Sequence, residues 1–433
     1  MQMRIPVVLL VCFQLVGTAC AGVFRASAVK VDITPSSPQW LEGYGARKSD
    51  GVRDPIYHRI AALDDGDTTV FFISTDTCEM SPDYVDKVKK DIQQQLGIPA
   101  QSIWWMATHT HSAPEIGPPG VGGAFMPERY DQASAGESNP DYTNFAEAKL
   151  IEGLRQARKE LQPARLGFGI GFSTANIDRR AMDDHGNMTI GLNPDGPTDR
   201  QIGLIRLETV DGKLIGLLAN YPIHGTVLGH ENLKITGDVQ GVVAQYVEQK
   251  LGAPMLFING AEGNLAPIYS VYPDPESGHL DQFRVLVGDR ILQANRRIGG
   301  MTSEVALSES EVTIESPLRA TLKWPASLGS YARTAPGGAT LVRIPVKFLE
   351  INHDAVLWGA PVELFCKIAV DVRNQSRFPY TFYFGLLDGA LGYLPTAEAF
   401  HEGGYEPEAS PFTDRVEDDF RQGVITHLGG IMR

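Results

Sequence analysis

His109 and His111 stand one residue apart at the end of a short apolar run, Ile103-Trp104-Trp105-Met106. Side chains alternate along a strand, so positions i and i+2 share a side. The run is too short for an ordinary helix and reads as a buried strand. The two imidazoles would then sit where that strand becomes loop, at the rim of a sheet, and could supply half of a metal site. Taken alone, such a pair is more often two ordinary histidines bonded to backbone. Other strands, however, also end in loops that hold residues of metal-binding type: His224, Glu363 and Tyr393. Rims where several strands end are where a rigid scaffold presents chemistry.

The elements that must position these residues alternate in kind. Three pairs of apolar runs flank turn residues and read as hairpins: 60–63 with 70–74 around Asp65-Gly66, 203–208 with 214–219 around Asp211-Gly212, and 342–349 with 355–359 around Asn352-His-Asp354. Apolar residues at helical spacing predict helices over 82–96, 142–161, 241–251, 283–298 and 416–428, and over 364–372, opening after Glu363. Residues 165–172 read as a Gly-punctuated strand and 176–180 as a polar loop. Residues 113–140 form a long Gly-, Pro- and Ser-rich loop, the kind that often binds ligands or acts as a lid. Residues 316–339 read as an inserted loop. The pattern predicts an α/β fold with mixed β-sheets flanked by helices and a metal site at the strand-end rim. No linker divides the chain, so 22–433 is expected to be a single domain.

The 433 residues are 43% hydrophobic and 21% charged, enough for a large core. A formal net charge of −14 excludes a nucleic-acid polyanion as the expected partner. Arg4, an apolar stretch over 5–19 and Ala19-Cys20-Ala21 read as a signal peptide spanning 1–21, which predicts export to the periplasm or the exterior. A lipoprotein anchor at Cys20 is the competing reading, disfavoured because Gly17 stands where a leucine is usual. Beyond that segment only Cys78 and Cys366 remain, and in an oxidising compartment they could pair.

Several stretches, taken in order, resemble the neutral/alkaline ceramidases, zinc-dependent enzymes that hydrolyse the amide of N-acylsphingosine. They are Asp32-Ile-Thr-Pro35, Thr108-His-Thr-His-Ser112, Ile223-His-Gly-Thr226, Gly237-Asp238, Gly263-Asn-Leu-Ala-Pro267, Gly392-Tyr-Leu-Pro-Thr396 and Tyr405-Glu406. The resemblance implies zinc ligands at His109, His224, Glu363 and Tyr393. It implies His111 beside the attacking water, and Arg179 and Tyr405 beside the developing oxyanion. The implied activity is hydrolysis of a ceramide-like N-acyl amide by a zinc-activated water. A small-molecule or lipid-like substrate and peripheral membrane contact go with it; nothing in the sequence sets an oligomeric state.

Each residue also has a plainer reading. Glu363 suits a helix start, Tyr405 a packing position, and Arg179 and Arg180 a solvated loop. Asp238 could buttress a ligand histidine or cap a turn. His58, His185, His230, His279, His353, His401 and His427 read as structural or surface residues. The chain departs from the pattern at Ala266, where the family has serine. It also ends soon after its last helix, so the family's C-terminal immunoglobulin-like domain is expected to be absent, and 117–136 is polar where a long acyl chain would want apolar walls. These departures keep two alternatives in view: an esterase, lactonase or amidase acting on a smaller polar substrate, and a non-catalytic zinc-stabilised binding protein.

Overall fold

The computed structural model describes residues 23–118, 139–270 and 279–431. The targeting segment and most of the 113–140 loop lie outside the described residues. The fold is mixed α/β, as the alternation of patterns predicts. An eight-stranded sheet runs in the order Met255–Asn259, Leu214–Tyr221, Gln201–Thr209, Gln162–Phe172, Arg25–Asp32, Tyr57–Asp64, Thr69–Thr75, Ile103–Ala107. Its two outer pairs are parallel and the strands between them antiparallel. A second, five-stranded sheet is built on Leu307–Pro317, Thr340–Ile351, Ala355–Gly359 and Tyr380–Phe384, with Ala332–Thr334 added to its long strand.

The two sheets pack face to face between layers of helix. Alternation along Ile103–Ala107 explains how: Trp104 and Met106 enter the core between the sheets with Leu349, Leu357 and Phe384. Ile103 and Trp105 point the other way, against Val85, Val88 and Ile92 of the Pro82–Leu96 helix and Leu150 and Leu154 of the Pro140–Lys159 helix. The Asp238–Leu251 helix covers the same sheet beside Leu217 and Phe257. The Val416–Ile431 helix covers the second sheet with Phe420 and Val424. Both outer strands of the large sheet are therefore buried on both faces, as their continuous apolar sequences require. Among the described residues no helix is long and apolar enough to cross a membrane.

Three sequence expectations change. The helix predicted over 283–298 is present but ends earlier and is wound differently: a π-helical stretch Arg284–Asp289 runs directly into an α-helical Arg290–Asn295, and a separate 3-10 turn, His279–Gln282, precedes it. Residues 176–180 belong to a strand, Asn176–Met182, rather than a polar loop. Cys78 and Cys366 are buried and unpaired; the Cys366 thiol donates to Pro197 O at 3.3 Å instead.

His58 is satisfied at both ring nitrogens within the core. Trp105 Nε1 donates to Thr75 Oγ1 at 2.8 Å, Thr75 Oγ1 lies 2.8 Å from His58 Nδ1, and His58 Nε2 lies 3.0 Å from Ala146 O. The chain closes with a neutral imidazole, and burial holds His58 down at about 4. The unfolded chain takes up this proton from about pH 6.5 downward, whereas the folded protein refuses it until about pH 4. Stability is thus complete above about pH 6.5, falls by about 3 kcal/mol on the way to pH 4, and falls no further from this cause. Urea unfolding at pH 7 and pH 4.5 is expected to show most of this loss in the native chain and to lack it in His58→Gln.

Candidate metal centre

The Ile103–Ala107 strand ends against its parallel neighbour. Thr108 N donates to Thr75 O and His109 N to Thr77 O, both at 2.9 Å. His109 then adopts φ 70°, a left-handed conformation uncommon for a residue with a Cβ. His109 and His111 therefore face one another because the chain turns at His109, not because a strand alternates. Their ring centroids are 4.9 Å apart. His224 follows the Leu214–Tyr221 strand, and its loop is bonded directly to the first. Gly225 N donates to His109 O at 3.1 Å and His111 N to Gly225 O at 3.0 Å. One buried side chain ties both loops: Asn259 Nδ2 donates to Thr108 O at 3.1 Å and Ile223 O at 3.0 Å, while its Oδ1 accepts from Ile223 N at 3.0 Å.

Glu363 does not open a helix. Glu363–Leu364 is a short strand paired in parallel with Tyr393–Leu394, Glu363 opposite Tyr393, and the helix begins at Cys366. The pairing places the carboxylate beside the phenol, a contact that helix propensity could not foresee. Asp238 opens the helix predicted from 241. Its carboxylate accepts from the main-chain N–H of Val227, Leu228 and Val239. It shapes the loop after His224 and bonds to neither His109 nor His224, so its role is the turn-capping one.

His109 Nε2 and His224 Nε2 each lie 3.3 Å from Glu363 Oε2. His111 Nε2 lies 3.4 Å from His109 Nε2, and the Tyr393 hydroxyl lies 3.5 Å from His224 Nε2. The far nitrogens are committed to backbone: His109 Nδ1 lies 2.9 Å from Cys78 O, and His224 Nδ1 lies 3.0 Å from Glu262 O and 3.1 Å from Leu265 O. Carbonyls only accept, so each Nδ1 carries a proton and each neutral ring turns a bare Nε2 inward. Glu363 Oε2, buried, has no hydrogen-bond partner. Three lone-pair-bearing atoms thus converge where only a cation or a proton can sit between them. Without a metal the proton takes the place. Burial opposes charge on His109, but the Glu363 carboxylate outweighs it and lifts His109 to about 9. Burial would raise Glu363, yet His109 and His224 hold it well below the usual carboxylate range. Two imidazoles and a carboxylate with oriented rings fit Zn²⁺.

Arg179 and Tyr405 border the same centre. Arg179 Nη2 donates to the Tyr393 hydroxyl at 3.0 Å and Nε donates to Glu406 Oε1 at 2.8 Å. Arg180 Nη1 donates to Glu406 Oε2 at 2.7 Å. The Tyr405 ring lies 5.6 Å from that of Tyr393. A cleft of about 960 Å³ opens over these groups, lined by His111, Arg179, Ala266, Tyr393 and Tyr405 together with Tyr44, Met188, Ile190 and Ser270. All seven residues singled out in the sequence lie at this centre or on its cleft. Three partners had not been singled out: Asn259, Glu406 and Glu262. Glu262 is fully buried with both carboxyl oxygens unpartnered, and burial pushes it up to about 8. Glu406 had a signal, since it adjoins Tyr405; Glu262 had none, since only folding brings it beside His109.

The family model for neutral/alkaline non-lysosomal ceramidases, N-terminal region, matches residues 24–261. The chain belongs to this family. Neutral ceramidase of Pseudomonas aeruginosa is 27% identical over 215 residues, 48% of this chain and 31% of that protein. Neutral ceramidase B of Dictyostelium discoideum is 22% identical over 241 residues, 53% of this chain and 32% of that protein. The matched segments thus span about a third of these relatives' length. The crystal structure of the Pseudomonas aeruginosa neutral ceramidase superposes with a TM-score of 0.73 at 16% identity, covering 94% of this chain and 74% of the other. A ceramidase complexed with C2 superposes at 0.74 and 16% identity, covering 95% and 75%. This ceramidase-family fold therefore extends well beyond the segment that sequence comparison matches.

The close contact between the two histidine loops makes a prediction. A Cβ on Gly225 would lie 2.3 Å from His109 O and 2.6 Å from Thr110 Cα, both main-chain atoms. Gly225→Ala must push the loops apart. It is expected to cost about 1–3 kcal/mol of stability and at least about tenfold in affinity for a metal ion at the candidate centre, read by thermal unfolding and by titration against a competing chelator.

Proposed function

We propose that this chain is a zinc-dependent hydrolase that cleaves the amide bond of a ceramide-like N-acyl substrate. The observation that carries the reading is the convergence of His109 Nε2 and His224 Nε2 on the unpartnered Glu363 Oε2, each at 3.3 Å. His109, His224, Glu363 and Tyr393 would hold the ion. When bound, zinc supplies a Lewis acid and lowers the pKa of a water toward about 7. Burial first, then the neighbouring imidazoles, hold His111 well below the usual histidine range, so its ring is neutral and keeps a nitrogen lone pair that would orient a water at the centre by accepting its hydrogen bond. Burial opposes the charge on Arg179, but Tyr393 and Glu406 more than restore it. A fixed guanidinium in a dry site, with the Tyr405 hydroxyl nearby, stabilises charge developing on the carbonyl oxygen. Residues 22–433 act as one unit in this account, and segment 1–21 supports export over anchoring at Cys20.

A second reading has its own observation. Ala266 lines the cleft, as do Asn187, Thr189 and Ser270, so the walls suit a smaller, more polar amide or ester. Turnover of a panel of N-acyl amides and esters by the native chain, Ala266→Ser and His109→Ala tests both. The proposal expects the native chain to cleave long-chain N-acyl amides. Preference for short polar esters would favour the second reading. A silent native chain with an active Ala266→Ser would leave a zinc-stabilised binding protein.

A further inference from the structure

A second cavity, of about 230 Å³, lies at the opposite end of the strand that leads to His109. Asp86 and Lys89 of the Pro82–Leu96 helix, Lys347 of the Thr340–Ile351 strand and Asp388 form part of its wall. Both lysines are buried, Lys89 at 6% and Lys347 at 7% exposure. Both ammonium groups lean on one atom, Asp388 Oδ2, at 2.7 Å from Lys89 and 3.3 Å from Lys347. Lys347 Nζ also donates to Ile103 O at 2.8 Å and lies 5.2 Å from the Trp104 ring centroid. Asp388 Oδ1 is already taken by Trp105 N, at 3.1 Å. Among the described residues no other carboxylate lies within ion-pair distance of Lys347. The two buried cations share one carboxylate at ion-pair distance, with Asp86, Glu309, Glu311 and Arg343 among the other charges around them, and crowding of the two ammonium groups favours loss of a proton from one of them.

We infer that Lys347 is a covalent site, forming a Schiff base with a small aldehyde or ketone admitted to this cavity. Burial lowers Lys347; Asp388 opposes that, Lys89 adds to it, Glu309 opposes it again, and the balance stands at about 8. The neutral amine attacks the carbonyl carbon, an N–C bond forms, and the carbonyl π pair moves to oxygen, which takes a proton. The carbinolamine then loses that oxygen as water while the nitrogen gives up its proton, leaving C=N. Amine and carbonyl become imine and water, with no change of oxidation state. Asp86, held by the Tyr331 hydroxyl at 2.9 Å, and Glu311 are placed in or on the wall to carry protons. A water occupies about 30 Å³, so the cavity suits a molecule of a few carbons and not an acyl chain.

The test uses the full chain, glycolaldehyde and cyanoborohydride, which reduces any imine to a stable amine, with adducts located by peptide mass spectrometry. At pH 8 Lys347 is expected to label at least tenfold faster than the exposed Lys87. Its rate should level off above about pH 8, while that of Lys87 keeps rising. Lys89→Met, which removes the neighbouring cation, should slow labelling at Lys347 and leave Lys87 unchanged. Lys347 labelling no faster than Lys87, or a folded Lys89→Met with an unchanged Lys347 rate, would overturn the inference.

Discussion

His109→Ala is expected to lose stoichiometric zinc and at least about a thousandfold in kcat/KM, because the metal supplies several kcal/mol of transition-state stabilisation and about 4 kcal/mol is a thousandfold. The variant removes one of the two nitrogens that meet Glu363 Oε2 and leaves that oxygen without the imidazole 3.3 Å away. Glu363→Gln should behave alike, since it keeps the shape and removes the charge. His111→Ala supplies the contrast. Its Nε2 faces the centre from beside His109, where it groups with His109 and Cys78 rather than with His224 and Glu363. That variant should keep its zinc and lose about 10²–10⁴-fold in kcat, the usual contribution of a general base. Metal analysis and steady-state kinetics on the three variants separate ligand from base. Loss of zinc in His111→Ala to the same degree as in His109→Ala would assign it to the metal instead.

Glu406→Gln is expected to show the second large effect, and to show it in stability as well as activity. Glu406 is 1% exposed and is bonded by two buried guanidinium groups, Arg179 at 2.8 Å and Arg180 at 2.7 Å. Removing one partner of a buried ion pair leaves charge uncompensated and costs about 3–5 kcal/mol. Here two arginines lose the same anion, although Arg180 keeps Glu402 at 3.0 Å. Arg179 would lose the partner that aims it at Tyr393, so kcat should also fall by about 10²-fold, as when one oxyanion donor is removed. Denaturant unfolding and kinetics measure the two effects. Arg180→Met added to Glu406→Gln removes one stranded cation and should recover part of the stability but none of the activity. Recovery of both would mean that Glu406 acts on the fold alone.

Much of this architecture is legible in local pattern. The hairpin around Asp65-Gly66 and the helix over 82–96 need only alternation, turn chemistry and helical spacing, and both stand where those rules put them. What local pattern misses is what distant segments do to one another. Arg179 and Arg180 read as solvated charge because Glu406, which buries them, is 227 and 226 positions away. Glu363 reads as a helix start because its strand partner, Tyr393, is invisible at short range. The i, i+2 spacing points to neighbouring imidazoles, but strand alternation is not what joins them: a left-handed turn at His109, closed by Gly225 and Asn259, brings the rings together.

The most direct measurement of the central claim is anomalous diffraction from crystals of the zinc-loaded protein, collected on either side of the zinc absorption edge. The account predicts one strong peak bounded by His109 Nε2, His224 Nε2 and Glu363 Oε2, with the Tyr393 hydroxyl beside it. A peak placed elsewhere, or none at this convergence in protein carrying stoichiometric zinc, would contradict it.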